Sequence, residues 1–135
     1  MSDKPIIFSG EMVRALLAGR KSMTRRILKP QPKMLNGGFP LNNGRGSYST
    51  DAGWTRYSYA VGDRLWCREG LVCATENMGE FASFADVVCY AEDGSTALRD
   101  YQMVKWPWKR ETLNARFMPR WASRLTLIVT DVRVQ

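Results

Sequence analysis

Apolar residues recur at two different periods along the chain, and the change of period marks its elements. After a short apolar entry over residues 4–8, Met12, Val13, Leu16 and Leu17 return every three or four positions. That spacing predicts an amphipathic helix with one buried face. Ser9 stands where an N-cap belongs, and Glu11 lies in the first turn, where the helix dipole favours an acid. Gly19 occupies the position at which helices commonly end in left-handed backbone. Past residue 60 the period shortens to two. Val61-Gly62-Asp63 reads as a turn into a strand over 64–68, with Leu65 and Cys67 on one face and Arg64, Trp66 and Arg68 on the other. Residues 70–75 are a candidate continuation. Residues 87–91 predict another strand, closed by Glu92-Asp93-Gly94, and residues 125–132, rich in β-branched side chains, predict a last one.

Two stretches lack either period. Pro30, Pro32 and Pro40, with Gly37, Gly38, Gly44, Gly46 and Gly53, predict a long flexible loop over about residues 30–60. Residues 95–117 are polar and aromatic and are broken by Pro107. One helix and several short strands predict an α+β fold, a small β-barrel with one N-terminal helix packed at its end. The 135 residues fit a single domain over 1–135.

Composition narrows the chemistry. The longest apolar runs, such as residues 125–129 with Thr126 inside, fall far short of the roughly 18 residues that span a bilayer. The first five residues lack the apolar stretch of a secretory signal, so a cytoplasmic protein with no membrane partner is expected. The chain has no histidine, which removes Ser-His-Asp and Cys-His triads, histidine bases and histidine metal sites. Cys67, Cys73 and Cys89 follow a C-x5-C-x15-C spacing with no CxxC pair. They read as reduced thiols, with no zinc site, metal or cofactor expected.

Charge is distributed unevenly. The net charge of +7 divides into +6 over residues 1–35, −4 over 36–98 and +5 over 99–124, with the remainder balanced. Two basic segments brought together would form one positive face that attracts polyanions; the same cations would otherwise serve as a solvated, solubilising surface. Trp106, Trp108 and Trp121 interleave with Lys105, Lys109, Arg110, Arg120 and Arg124, a pairing of stacking platforms with cations that suits unpaired bases; core packing is the other reading of these rings.

The run Gly19-Arg20-Lys21-Ser22-Met23-Thr24-Arg25-Arg26 follows the predicted helix directly. Its pattern, G-x-K-x-x-T-x-R, resembles the signature of the ASCH domain, a PUA-like β-barrel family in which many members carry Glu at the place of Thr24. Gly62-Asp63-Arg64-Leu65-Trp66-Cys67-Arg68-Glu69 is similar to the G-D-x-L-W-x-R-E strand of the phage- and prophage-encoded branch. Met118-Pro119-Arg120-Trp121-Ala122-Ser123-Arg124 resembles that branch's M-P-R-W-A-S-R segment. The resemblance implies a PUA-like barrel with a cleft between the helix end and neighbouring strands, where ASCH domains are thought to bind RNA or nucleotides. Some small members resemble hydrolases of N4-acetylcytidine, and others resemble ribonucleases. Carried over by motif, Lys21, Thr24 and Arg26 line the cleft.

Amide hydrolysis needs a nucleophile, a base and a stabiliser of developing charge. Without histidine, Thr24 and Lys21 are the natural pair, with the lysine's pKa lowered beside Arg25 or Arg26. Glu69 is the candidate third member, taken from its place at a strand end. Arg26 would hold a carbonyl, carboxylate or phosphate bidentately. In a strand over 21–26, Ser22, Thr24 and Arg26 share a face and Lys21 points away, so Lys21 and Thr24 meet only if the backbone turns at the glycine corner. Ser123, Arg124 and Trp121 form a second candidate wall: Arg124 on a phosphate, Ser123 donating to a base or carbonyl, Trp121 stacking; the other reading of Ser123 is a satisfied hydroxyl in a turn. Glu69 could instead pair with Arg26 or Arg124 and orient the arginine.

Three functions follow, in order. The first is binding of RNA, single-stranded nucleic acid or a modified nucleoside. The second is a metal-independent hydrolase using Lys21 and Thr24 on a nucleoside amide or RNA. The third is a phage-encoded inhibitor of a host or defence protein, in a bacterial cytoplasm, using the segment around Trp106 and Trp108 and the long loop over about residues 30–60 as its surface.

Overall fold

Residues 2–34, 47–77 and 84–133 are described by the computed structural model of the chain. Strand β1 (Asp3–Ile7) leads into helix α1 (Gly10–Leu17). The helical period buries Val13 completely and leaves Met12 and Leu16 half-buried, while Leu17 is exposed. Ser9 sits at the N-cap in extended backbone, yet its hydroxyl does not cap the helix. Glu11 supplies an acid in the first turn, and Glu92 adds a second; it pairs with Arg14 and lies so close to Gly10 that an added Cβ would strike its carboxylate. At the other end Gly19 takes φ +68°, and the amides of Arg20 and Lys21 both donate to the Ala15 carbonyl. Residues 20–28 then run in irregular backbone, so no strand over 21–26 sorts their side chains onto two faces.

A hairpin occupies part of the stretch predicted as a long loop. Strands β2 (Ser47–Thr50) and β3 (Gly53–Arg56) pair antiparallel from Ser47 opposite Arg56 to Thr50 opposite Gly53, around a two-residue turn. Small polar residues hide the pattern, but the alternation is there: Tyr48 and Thr50 are buried, and Ser47 and Ser49 are only half-buried. Gly53 ends the turn at φ +113°, open only to glycine without strain. Residues 35–46 of that predicted loop lie outside the described residues.

Strand β4 (Arg64–Arg68) falls where its alternation predicts, but Trp66 is buried along with Leu65 and Cys67. Its expected solvent face is covered by arginines. Strand β5 (Leu71–Asn77) is separate from β4 and pairs antiparallel with β6 (Phe84–Tyr90), from Leu71 opposite Tyr90 to Asn77 opposite Phe84. The polar and aromatic stretch contains β7 (Leu98–Arg99), β8 (Gln102–Met103) and β9 (Thr112–Leu113). Two single-turn 3-10 helices, Ala115–Phe117 and Arg120–Ala122, precede β10 (Thr126–Ile128), which is shorter than the 125–132 run predicted. Among the described residues the strands form four sheets: β1-β4-β10, β2-β3, β6-β5-β9 and β7-β8. Together with α1 they make an α+β fold. Among the described residues no helix is long and apolar enough to cross a membrane.

The chain divides into two compact units. The first holds Met1–Lys4, Met23–Leu65 and Leu127–Gln135; the second holds Pro5–Ser22 and Trp66–Thr126. In the first, Tyr48 is buried against Tyr57 with ring centroids 5.3 Å apart, and its hydroxyl donates to the Pro30 carbonyl at 3.1 Å. Asp63 is buried there as well. Its oxygens accept from Lys4 Nζ at 2.6 Å, Ser2 Oγ at 2.8 Å and the amides of Ser2 and Ala60 at 3.1 and 3.0 Å. The second unit has its core in Leu71, Val88, Tyr90, Ala97, Met118 and Ala122, with Val104, Trp106, Trp108 and Leu113 packed against it.

Candidate functional site

Strand alternation puts Trp66 and Arg68 on the same side of β4. The Arg68 guanidinium lies 4.6 Å from the Trp66 ring centroid, and that of Arg120 lies 5.6 Å from it. A positive plate on an indole is a favourable electrostatic contact, and it explains how Trp66 is buried on a face whose neighbours are charged. Arg68 Nη1 also donates to the Arg116 carbonyl at 3.1 Å, which ties the turn at 115–117 to the strand; its Nε is buried without a partner. Asn114 holds that turn from the other side, its side chain accepting from the Arg116 amide at 3.0 Å.

The neighbouring aromatics form a tier that runs from core to solvent. Trp106 meets Trp108 edge to face at 4.8 Å, and Trp108 stacks nearly parallel on Trp121 at 6.1 Å and 7°. Trp106 and Trp108 pack on the core cluster, and Trp106 Nε1 donates to the Arg110 carbonyl at 2.8 Å. Trp121 is the outer ring, 44% exposed, and Phe117 nearby in sequence is 68% exposed. Arg116 and Arg120 are exposed, as are Lys109 and Arg110. An indole propped on another indole, with guanidinium groups within the same short segment, can stack a planar group while neutralising anionic charge.

Arg124 has a different setting. Nε and Nη2 donate to the two oxygens of Glu69 at 2.9 and 2.7 Å, a bidentate pair. Nη1 donates to Asp93 at 2.7 Å and to Ser95 Oγ at 2.8 Å, and the guanidinium lies 4.0 Å from the Tyr90 ring centroid. Glu69 is 1% exposed and Arg124 is largely covered. Of the partners the sequence allowed for Glu69, the structure selects Arg124. Tyr90 closes this network by donating to the Ala122 carbonyl at 2.8 Å. Burial pushes the Tyr90 hydroxyl up from its ordinary pKa, and burial together with the nearby Glu69 charge pushes the Cys67 thiol up to about 11. The bond from Arg124, with those from Ser95, holds Asp93 down to about 2.

The other sequence-derived candidates divide between the units. Lys21 belongs to the second unit with Glu69, Trp121, Ser123 and Arg124; it is half-buried, its ammonium 5.7 Å from the Phe8 ring centroid. Thr24, half-buried, and Arg25 and Arg26, both exposed, belong to the first. The Ser123 hydroxyl is directed at the carbonyls of Cys67 and Leu125, at 2.8 and 3.1 Å. Sequence reasoning did not single out Arg68, Arg116 or Phe117 for this surface. The signal for Arg68 was its place two residues from Trp66 on a strand. Among the described residues no group of three or more Cys, Asp or Glu side chains is arranged to hold a metal ion. Compared with known proteins, the chain matches no family model, no curated protein and no solved structure.

Acid should loosen both units in the same range. Asp63 is held well below the usual carboxylate pKa by its bonds from Lys4 and Ser2, and Asp93 is held at about 2. Each carboxyl binds its proton more weakly in the folded chain than in the unfolded one. Their contribution is therefore complete above about pH 4 and is lost as pH falls toward about 2. Melting temperature measured from pH 7 to pH 2 is expected to be insensitive to these two groups above about pH 4 and to drop below it. Asp93→Asn should flatten part of that drop.

Proposed function

We propose that the chain binds RNA, single-stranded and read through its bases and backbone charge, or a modified nucleoside. The reading includes the PUA-like barrel of the ASCH family, whose motifs three blocks of the sequence resemble. One observation carries the binding proposal: Trp121, exposed and stacked on Trp108, stands beside Arg120 in a segment that also presents Arg116, Lys109 and Arg110. Aromatic platforms among cations suit single strands because every base has a π-face and every linkage carries a negative charge. Arg124 is neutralised by Glu69 and Asp93, so it contributes by shaping the second unit rather than by meeting phosphate.

The charge component has a quantitative signature. Each phosphate neutralised on a single strand adds about −0.7 to the slope of log affinity against log salt. A strand meeting three or four of these cations is expected to lose about 10–60-fold in affinity between about 50 and 200 mM salt. Fluorescence anisotropy of a labelled single-stranded RNA titrated at several salt concentrations measures this, and Arg120→Gln should make the slope shallower by about 0.7. Affinity that stays constant as salt rises would overturn the reading.

A further inference from the structure

The β7-β8 hairpin ends in a residue that the fold does not use. Leu98 pairs with Met103 and Arg99 with Gln102, leaving Asp100 and Tyr101 as a two-residue turn. Both have left-handed backbone, φ 51° for Asp100 and 64° for Tyr101. Such a turn matches the twist of the flanking strands, and asparagine or glycine is what it ordinarily selects. A tyrosine there is strained, because its Cβ crowds the backbone. Its ring returns nothing to the fold, since Tyr101 is 100% exposed. The base of the hairpin, however, is firmly held. The Ala97 amide donates to Val88 at 2.7 Å, the Val88 amide to Val104 at 2.8 Å, and the Val104 amide to Ala97 at 3.1 Å; Ala97 and Val88 belong to the core. Two residues of extended chain, Leu98 and Arg99, at about 3.3 Å each carry the turn roughly 7 Å out from Ala97. The surrounding sequence is basic: between residues 99 and 110 stand Arg99, Lys105, Lys109 and Arg110 against the single acid Asp100.

We propose that Tyr101 is a second stacking residue, which takes an unpaired base of a bound single-stranded RNA; this deepens the function proposed above and rests on it. An aromatic ring held on a rigid stalk, exposed on all sides and carried in a cation-rich stretch of sequence, is suited to a base whose face is open. A duplex keeps its base faces stacked on one another, so the partner is single-stranded. The strain at the turn is a cost in the free chain that contact with a base would offset.

The test uses the whole chain, a short fluorescent oligouridylate and the corresponding RNA duplex. Tyr101→Ala and Tyr101→Gly are each expected to weaken binding of the single strand about tenfold, and Tyr101→Phe to keep it. Tyr101→Gly should at the same time raise the melting temperature, because glycine relieves the left-handed turn. Opposite signs for stability and affinity distinguish a ligand contact from a structural role. Wild-type affinity in Tyr101→Ala overturns this inference alone, as does a lowered melting temperature in Tyr101→Gly. Equal binding of the duplex with the same dependence on Tyr101 overturns it too. A wild-type chain that binds no single strand removes both this inference and the function on which it rests.

Discussion

Arg124→Met is expected to destabilise the second unit by about 3–5 kcal/mol, because it strands a buried charge. Both oxygens of Glu69 accept from Arg124, and Glu69 is 1% exposed, so the variant leaves a carboxylate with neither water nor a donor. Asp93 and Ser95 lose the same partner. Replacing both members, as Arg124→Met with Glu69→Met, should recover most of the loss, since burying apolar groups in place of an ion pair is often neutral or better. Urea unfolding of the wild type, the single variant and the double variant at pH 7 measures both effects. A single variant as stable as wild type at pH 7 would show that the pair is not buried in solution.

Leu71→Ala should cost about 2–5 kcal/mol. Leu71 is 1% exposed and stands at the junction of two pairings, opposite Tyr90 on β6 and Leu113 on β9. Val88, Met118 and Ala122 share its cluster. Truncation removes apolar burial and leaves a cavity at the centre of a sheet whose third strand is only two residues long, and so has little pairing of its own to resist. Small domains have only about 5–15 kcal/mol of stability in total, so a large drop in melting temperature is expected. A loss below about 1 kcal/mol would mean that the cluster collapses around the shorter side chain.

What could be read in advance depended on how strongly a segment's own residues declare their environment. Helix α1 is legible because Met12, Val13 and Leu16 repeat at its period and Gly19 stops it. Strands β4 and β6 are legible from β-branched and aromatic residues bounded by turns. The β2-β3 hairpin is not, because its inward residues are Tyr48 and Thr50 among serines, and the burial of Tyr48 is decided by Tyr57 and by the Pro30 carbonyl. Trp66 carries the same lesson. Alternation assigns it to solvent beside Arg64 and Arg68, but Arg68 and Arg120 fold over its ring, and Arg120 comes from more than fifty positions away. At the candidate site, the aromatic and cationic composition of residues 105–124 is visible in the sequence, whereas the order of the stack, Trp106 to Trp108 to Trp121, is a product of packing. Glu69 is visible as an acid near several arginines, and only the fold selects Arg124 among them.

The most direct test of the central claim compares the affinities of wild type, Trp121→Phe and Trp121→Ala for one short single-stranded RNA at fixed salt. If Trp121 is the stacking platform, Trp121→Ala binds about tenfold or more weaker, at about 1–3 kcal/mol for a stacked base, while Trp121→Phe stays close to wild type. Equal affinity in all three proteins, with each of them folded, would contradict it.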